Sequence, residues 1–148
     1  MDRLTIKVEG KHLPRYATEG ASGADLFADL TEDMVIKAGD WGLVPTGIKI
    51  QIPEGYEGQV RPRSGLALKY GVGLLNSPGT IDSDYRGEIK IVLFNFSPVD
   101  FVIHNGDRIA QLVITSVRRA DFIRADIDHT GRGEGGFGHT GIRGNGYC

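Results

Sequence analysis

At 148 residues, with 40% hydrophobic and 24% charged side chains, the chain has the size and makeup of one globular domain, able to bury roughly 70% of its unfolded surface. A net charge of −2 excludes a general affinity for nucleic acid, so any anion is bound locally. The single cysteine, Cys148, excludes an intrachain disulfide; "MDRLTIKVEG" lacks a signal peptide's apolar core, and no apolar run nears the roughly 20 residues of a membrane span, so the expectation is a soluble, cytoplasmic protein with no membrane partner.

"LTIKV" (4–8) alternates apolar and polar residues and reads as a strand. "ASGADLFAD" (21–29) is a small-residue turn leading into a strand, with Asp25 between Ala24 and Leu26. An acid in apolar company needs a partner, and either an arginine or a water-bridged metal would serve. The turn "KAGD" (37–40), the alternating run "GIKIQI" (47–52) and the turn "PEGYEG" (53–58) follow. In "VRPRSGLAL" (60–68), Arg61 and Arg63 stand just before the one helical stretch, 64–71, which Ser64 is placed to cap and Gly71 to stop. Two readings stand here: an ordinary cap beside surface arginines, and a phosphate cradle of Arg63, Ser64 and free backbone amides.

"NSPG" (76–79) turns the chain into "GTIDSDYRGE" (79–88), where Asp82, Asp84, Tyr85, Arg86 and Glu88 crowd one turn. Asp is a common turn former, but beside a bound phosphate it would orient or deprotonate an attacking water. Asp82, next to Ile81, is the acid expected to be half-buried. "EIKIVLFNF" (88–96) and, after the turn "HNGD" (104–107), "RIAQLVIT" (108–115) are further strands. Arg108 and Gln111 lie three apart, which on a regular strand puts them on opposite faces. Many short strands and tight turns read as an antiparallel sandwich or barrel. His12, His104 and His129 have no metal-ligand spacing and read as surface residues. Neither a GxSxG elbow, a Walker-type phosphate loop nor a Cys/His nucleophile pair is present. Past about residue 125 the folded body gives way to a glycine-rich tail, "GRGEGGFGHTG" (131–141), in which six of eleven positions are glycine.

Five segments in this order, "SGADLFA" (22–28), "RPRSGLA" (61–67), "GTIDSDYRGE" (79–88), "RIAQL" (108–112) and "RGEGGFGHTG" (132–141), resemble the motifs of the trimeric deoxyuridine triphosphatases, the dUTP pyrophosphatase family. The resemblance implies an all-β, jelly-roll-like barrel or sandwich with one short helix. Residues 1–125 would form the body and 126–148 a mobile arm closing over an active site. A homotrimer would share three such sites and hydrolyse dUTP to dUMP and pyrophosphate with Mg²⁺, limiting uracil in DNA and supplying dUMP for dTMP synthesis.

Carried onto matching positions, the resemblance makes Asp82 the residue that activates the water attacking the α-phosphorus. Arg63, Ser64, Gly65 and Gln111 would hold phosphates. Asn76 and the backbone from Val72 to Ile81 would meet uracil, Tyr85 would lie beneath the deoxyribose, and Thr80 and Lys90 would be neighbouring contacts. Asp25 would serve the metal through its water shell, and Arg108 would organise nearby carboxylates. In the arm, Phe137 would stack over uracil and Arg132 would meet the terminal phosphate, with Gly138, His139 and Thr140 beside them. Serine is more usual in the family at position 139. A dCTP deaminase and a non-catalytic nucleotide-binding regulator on the same scaffold are the alternatives.

Overall fold

In the computed structural model, which describes residues 3–144, the alternating runs become strands. Cys148 and residues 145–147 lie outside the described residues. The elements are β1 (Lys7–Glu9), β2 (Arg15–Tyr16), β3 (Ala24–Phe27), β4 (Met34–Ile36), β5 (Trp41–Pro45), β6 (Lys49–Gln51), β7 (Tyr56–Arg61), α1 (Ser64–Tyr70), β8 (Val72–Leu74), β9 (Gly79–Ile81), β10 (Lys90–Asn95), β11 (Phe101–Ile103) and β12 (Arg108–Ser116). The larger sheet runs β2-β3-β12-β7-β9 and a three-stranded sheet runs β5-β10-β8, while β1 pairs with β6 and β4 with β11. Every pairing is antiparallel.

Alternation decides which face is buried. Along β10, Ile91, Leu93 and Asn95 point inward, and the two aliphatic ones meet Leu26, Val60 and Leu112 of the larger sheet in one apolar cluster that also takes in Val44, Ile48 and Leu74. Each such aliphatic side chain contributes about 1.5–3 kcal/mol on burial. Asn95 can join them because its amide donates to Ile36 O at 3.0 Å and Val99 O at 2.8 Å.

Four local expectations change. "PEGYEG" is only partly a turn, since β7 begins at Tyr56, and "GTI" is the edge strand β9 rather than part of a loop. Ser64 does not cap α1: it is the first helical residue, the N-cap position falls on Arg63, and no side chain bonds the free amides. Arg63 carries only donors and has no acceptor to offer them. Gly71 does end the helix, in the left-handed conformation at φ 64°, its N–H meeting the carbonyls of Ala67 and Leu66.

The fourth change is in β12. Its partner register advances two residues, Arg108 to Ala110, against one on β3, Phe27 to Leu26. This bulge buries Ile109 and Ala110 in succession and returns Arg108 to the face of Gln111, so the two residues expected on opposite sides share one.

The chain divides into two units after Arg118. The boundary read from the sequence, near residue 125, falls within the second unit, whose described residues contain neither helix nor strand. No helix among the described residues is long and apolar enough to cross a membrane.

Candidate active site

β8 ends the three-stranded sheet and β9 ends the larger one, so each presents an unpaired backbone edge. Beside these edges lies a cavity of about 160 Å³ whose wall includes Asn76, Thr80, Ile81, Asp82, Tyr85 and Lys90. Six residues singled out from the sequence thus share one wall. Leu74, Glu88 and Val92 are among its other lining residues, and neither the Leu74 nor the Val92 side chain was marked as a contact. The alternation that marks Leu74 and Val92 as strand residues does not say which strand ends border a gap.

Within β9, Gly79 and Ile81 are buried and Thr80 is exposed. Asp82 follows as the chain turns, its carbonyl accepting the Tyr85 N–H at 3.1 Å. Its side chain is exposed rather than half-buried as expected, because it stands past the end of the ladder and no strand covers it. The Tyr85 hydroxyl donates to Glu88 O at 2.9 Å, and Arg86 donates to Ser83 O at 2.7 Å.

A second cluster gathers on the larger sheet. Cross-strand register puts Arg61, Gln111 and Asp25 in one row over β7, β12 and β3, with side chains on a common face. The Asp25 side chain, 12% exposed, takes Arg63 Nε at 3.2 Å on one oxygen and Arg108 Nη1 at 3.7 Å on the other. Arg63 also donates to Arg108 O at 3.2 Å. Two guanidiniums against one carboxylate leave a positive remainder suited to an anion. Gln111 donates to Pro62 O at 2.9 Å, which ties the segment before Arg63 to β12. A Cβ on Gly23 would run into the Gln111 amide, so the glycine of "SGAD" clears room for it. Ser64 and Gly65 are exposed at the helix start. Arg61 donates to Gln59 Oε1 at 2.7 Å along its own strand.

Arg63 and Arg108 line a separate cavity of about 720 Å³ with Tyr70, Phe101 and His104; none of Asp25, Arg63, Ser64, Gly65, Arg108 and Gln111 is on the wall that carries Asp82.

In the second unit, tight turns follow one another: Arg132 Nε donates to Gly135 O at 2.7 Å, and Gly141 N to Gly138 O at 2.9 Å. Phe137 takes a positive φ of 52°, and its ring is wholly exposed. His139 and Thr140 are exposed as well.

Of the histidines, His104 is exposed, with Nδ1 2.9 Å from Asp33. The Asp33 hydrogen bond and charge raise its pKa above the ordinary value, helped by Asp107 and opposed by slight desolvation. His12 is not a surface residue in full: it is half-buried against Phe27, ring centroids 6.3 Å apart, and its Nε2 is buried without a partner among the described residues.

The dUTPase family profile matches residues 9–141. The chain belongs to the dUTPase family. This dUTPase-family chain is 55% identical over 147 residues to the deoxyuridine 5'-triphosphate nucleotidohydrolase of Syntrophotalea carbinolica, covering 96% of this chain and 100% of that protein. It is 57% identical over 134 residues to the protein of that name from Chlamydia pneumoniae, covering 89% of this chain and 92% of that one. Its fold is similar to that of a Staphylococcus bacteriophage 80alpha dUTPase mutant solved with dUpNHpp, at a TM-score of 0.84 and 24% identity over 93% of this chain and 99% of that one. A dUTPase mutant of phage phi11 of S. aureus, described as coordinating a structural Mg(II) ion, aligns at a TM-score of 0.77 and 22% identity over 86% of this chain and 100% of that one. The jelly-roll-like, all-β architecture is thus the family's, and the triphosphatase reading is favoured over the deaminase and regulator alternatives.

Proposed function

We propose that the chain hydrolyses dUTP to dUMP and pyrophosphate as a homotrimer whose active sites are completed by neighbouring copies. The observation that carries this reading is the cavity beside the free edges of β8 and β9, with Asp82 on its wall, in a chain of the dUTPase family. Fixed backbone N–H and C=O groups suit the alternating donors and acceptors of uracil. Cytosine, with its pattern reversed at two positions, would leave buried groups unpaired, and a rigid wall rejects thymine's methyl by clash. Tyr85 beneath the sugar leaves no room for a ribose hydroxyl, and Asn76, Thr80, Ile81 and Lys90 complete the contacts.

Asp82 accepts a proton from water as the water oxygen attacks the α-phosphorus in line. The bond to the bridging oxygen breaks and pyrophosphate leaves with the electron pair. Such transfers depend on positioning and charge stabilisation more than on covalent catalysis. Arg63, Ser64, Gly65 and Gln111 hold the phosphates, with Arg108 keeping Asp25 and Arg63 in register.

The donor set fits magnesium carried on the triphosphate. No three His, Cys, Asp or Glu side chains converge among the described residues, and Asp25, with both oxygens engaged by arginines, suits contact through the ion's waters. When bound, the ion would offset negative charge on the phosphates.

Sharing of sites between copies is supported by the separation of the Asp82 wall from the Arg63–Asp25–Arg108 cluster. Exposed Trp41, Leu43 and Phe96 form an apolar face of the kind that marks interfaces. In this reading the arm read from the sequence as 126–148, of which residues 145–148 lie outside the described residues, is a lid that closes over an active site of the trimer. Glycine keeps the lid loose until substrate orders it, and the solvent-exposed Phe137 gains cover by stacking on uracil while Arg132, Gly138, His139 and Thr140 meet the phosphates. Pyrophosphate release from dUTP, dTTP, dCTP and UTP tests the reading: turnover of dUTP alone is expected, and ammonia from dCTP or inert dUTP rejects it.

A further inference from the structure

Gly87 occupies the turn that carries Tyr85 along the cavity wall. The backbone there is outside the left-handed region, so conformation does not require glycine. Space does. A Cβ at this position would lie 3.0 Å from Tyr85 Cε2, 2.6 Å from Cζ and closer still to the hydroxyl oxygen, and its three nearest neighbours all belong to Tyr85. The ring therefore lies across Gly87, and its hydroxyl closes the arch by donating to Glu88 O at 2.9 Å. Tyr85 is 46% exposed, so little else restrains it.

We propose that Gly87 is a positioning residue for Tyr85: its missing side chain and the Glu88 carbonyl together fix the ring against the cavity, and that fixed ring sets the preference for deoxyribose over ribose. The preference part rests on the reading of Tyr85 as the wall beneath the sugar. A ring held on two sides excludes a 2′-hydroxyl by clash, whereas a ring free to swing concedes the space. The three atoms nearest a Cβ at position 87 all belong to the far end of the tyrosine, so the ring yields and the backbone does not.

Gly87→Ala, made in the full chain, tests this. The expected result is a folded protein in which a crystal structure finds the Tyr85 hydroxyl off the Glu88 carbonyl. The ratio of kcat/KM for dUTP to that for UTP falls by about tenfold, mainly through KM, with kcat for dUTP changed by less than about threefold. In a Tyr85→Ala background the same substitution shifts the ratio by less than about twofold, because the two residues act as one unit. Tyr85→Phe, which leaves Gly87 alone and removes only the hydroxyl bond, lowers the ratio by about threefold. An undisplaced ring, an unfolded Gly87→Ala protein, an unchanged ratio in either single variant, or an equal loss in the Tyr85→Ala background overturns the proposal. A parent protein that leaves dUTP intact would overturn the functional reading instead, while the position of the ring in the Gly87→Ala crystal still decides the role of Gly87.

Discussion

Arg108 meets Asp25 at 3.7 Å across a β-bulge, and Arg63 holds the other carboxylate oxygen at 3.2 Å. Because that carboxylate is largely covered, Asp25→Asn leaves two guanidiniums facing each other without a counter-charge. Discounted for the exposure of the arginines, the expected loss is about 1–2 kcal/mol in urea unfolding. A higher KM for dUTP accompanies it as Arg63 loses its anchor. Parent-like stability and KM would show that the two arginines hold their places without Asp25.

Asp82 makes no side-chain bond among the described residues and is exposed, so Asp82→Asn leaves folding intact. Turnover of dUTP falls by on the order of 10² to 10⁴, the usual contribution of a positioned base, with binding largely kept. Single-turnover kinetics beside calorimetric binding of a non-hydrolysable analogue separate the two effects. Near-normal turnover removes Asp82 from the chemistry.

Among the described residues the apolar cluster is drawn entirely from positions before Val117, so deleting residues 131–148 removes none of its side chains. The expected product keeps its circular dichroism spectrum and melting temperature while losing most dUTP turnover. Loss of the β signal on truncation would make the tail a structural element instead.

The His104–Asp33 pair carries a pH dependence of known sign. Its folded pKa is raised, first by the Asp33 hydrogen bond and then by the Asp33 charge. Its stabilisation is therefore complete below the unfolded value of about 6.5 and disappears as pH rises through the higher folded value. Asp33→Asn should lower the melting temperature at about pH 5.5 and leave it unchanged near about pH 9. The same difference at both pH values would show that protonation of His104 plays no part.

Much of the site is legible in the chain because its pieces are contiguous. "GTIDSDYRGE" carries six of the residues on the Asp82 wall within ten positions. Asp25, Arg63 and Gln111 were each marked by local chemistry: an acid among apolar neighbours, an arginine before a helix, an amide on a strand. Their convergence was not legible, since β3, β7 and β12 are adjacent only in the folded sheet. Nor was the exposure of Asp82, which depends on where a ladder stops.

The sequence by itself determined the strand-rich class, the start and stop of the one helix to within a residue, and the identity of the five family segments, because period-two alternation and turn chemistry are local properties. Only the tertiary structure decided that Arg108 and Gln111 share a face, that β8 and β9 leave free edges beside one cavity, and that Gly87 lies under the Tyr85 ring. The first two follow from strand pairing between distant segments, selected by which registers bury Leu26, Val60, Leu93 and Leu112 together. The third follows from a side chain folding back over its own turn, which no pattern of residue types reveals.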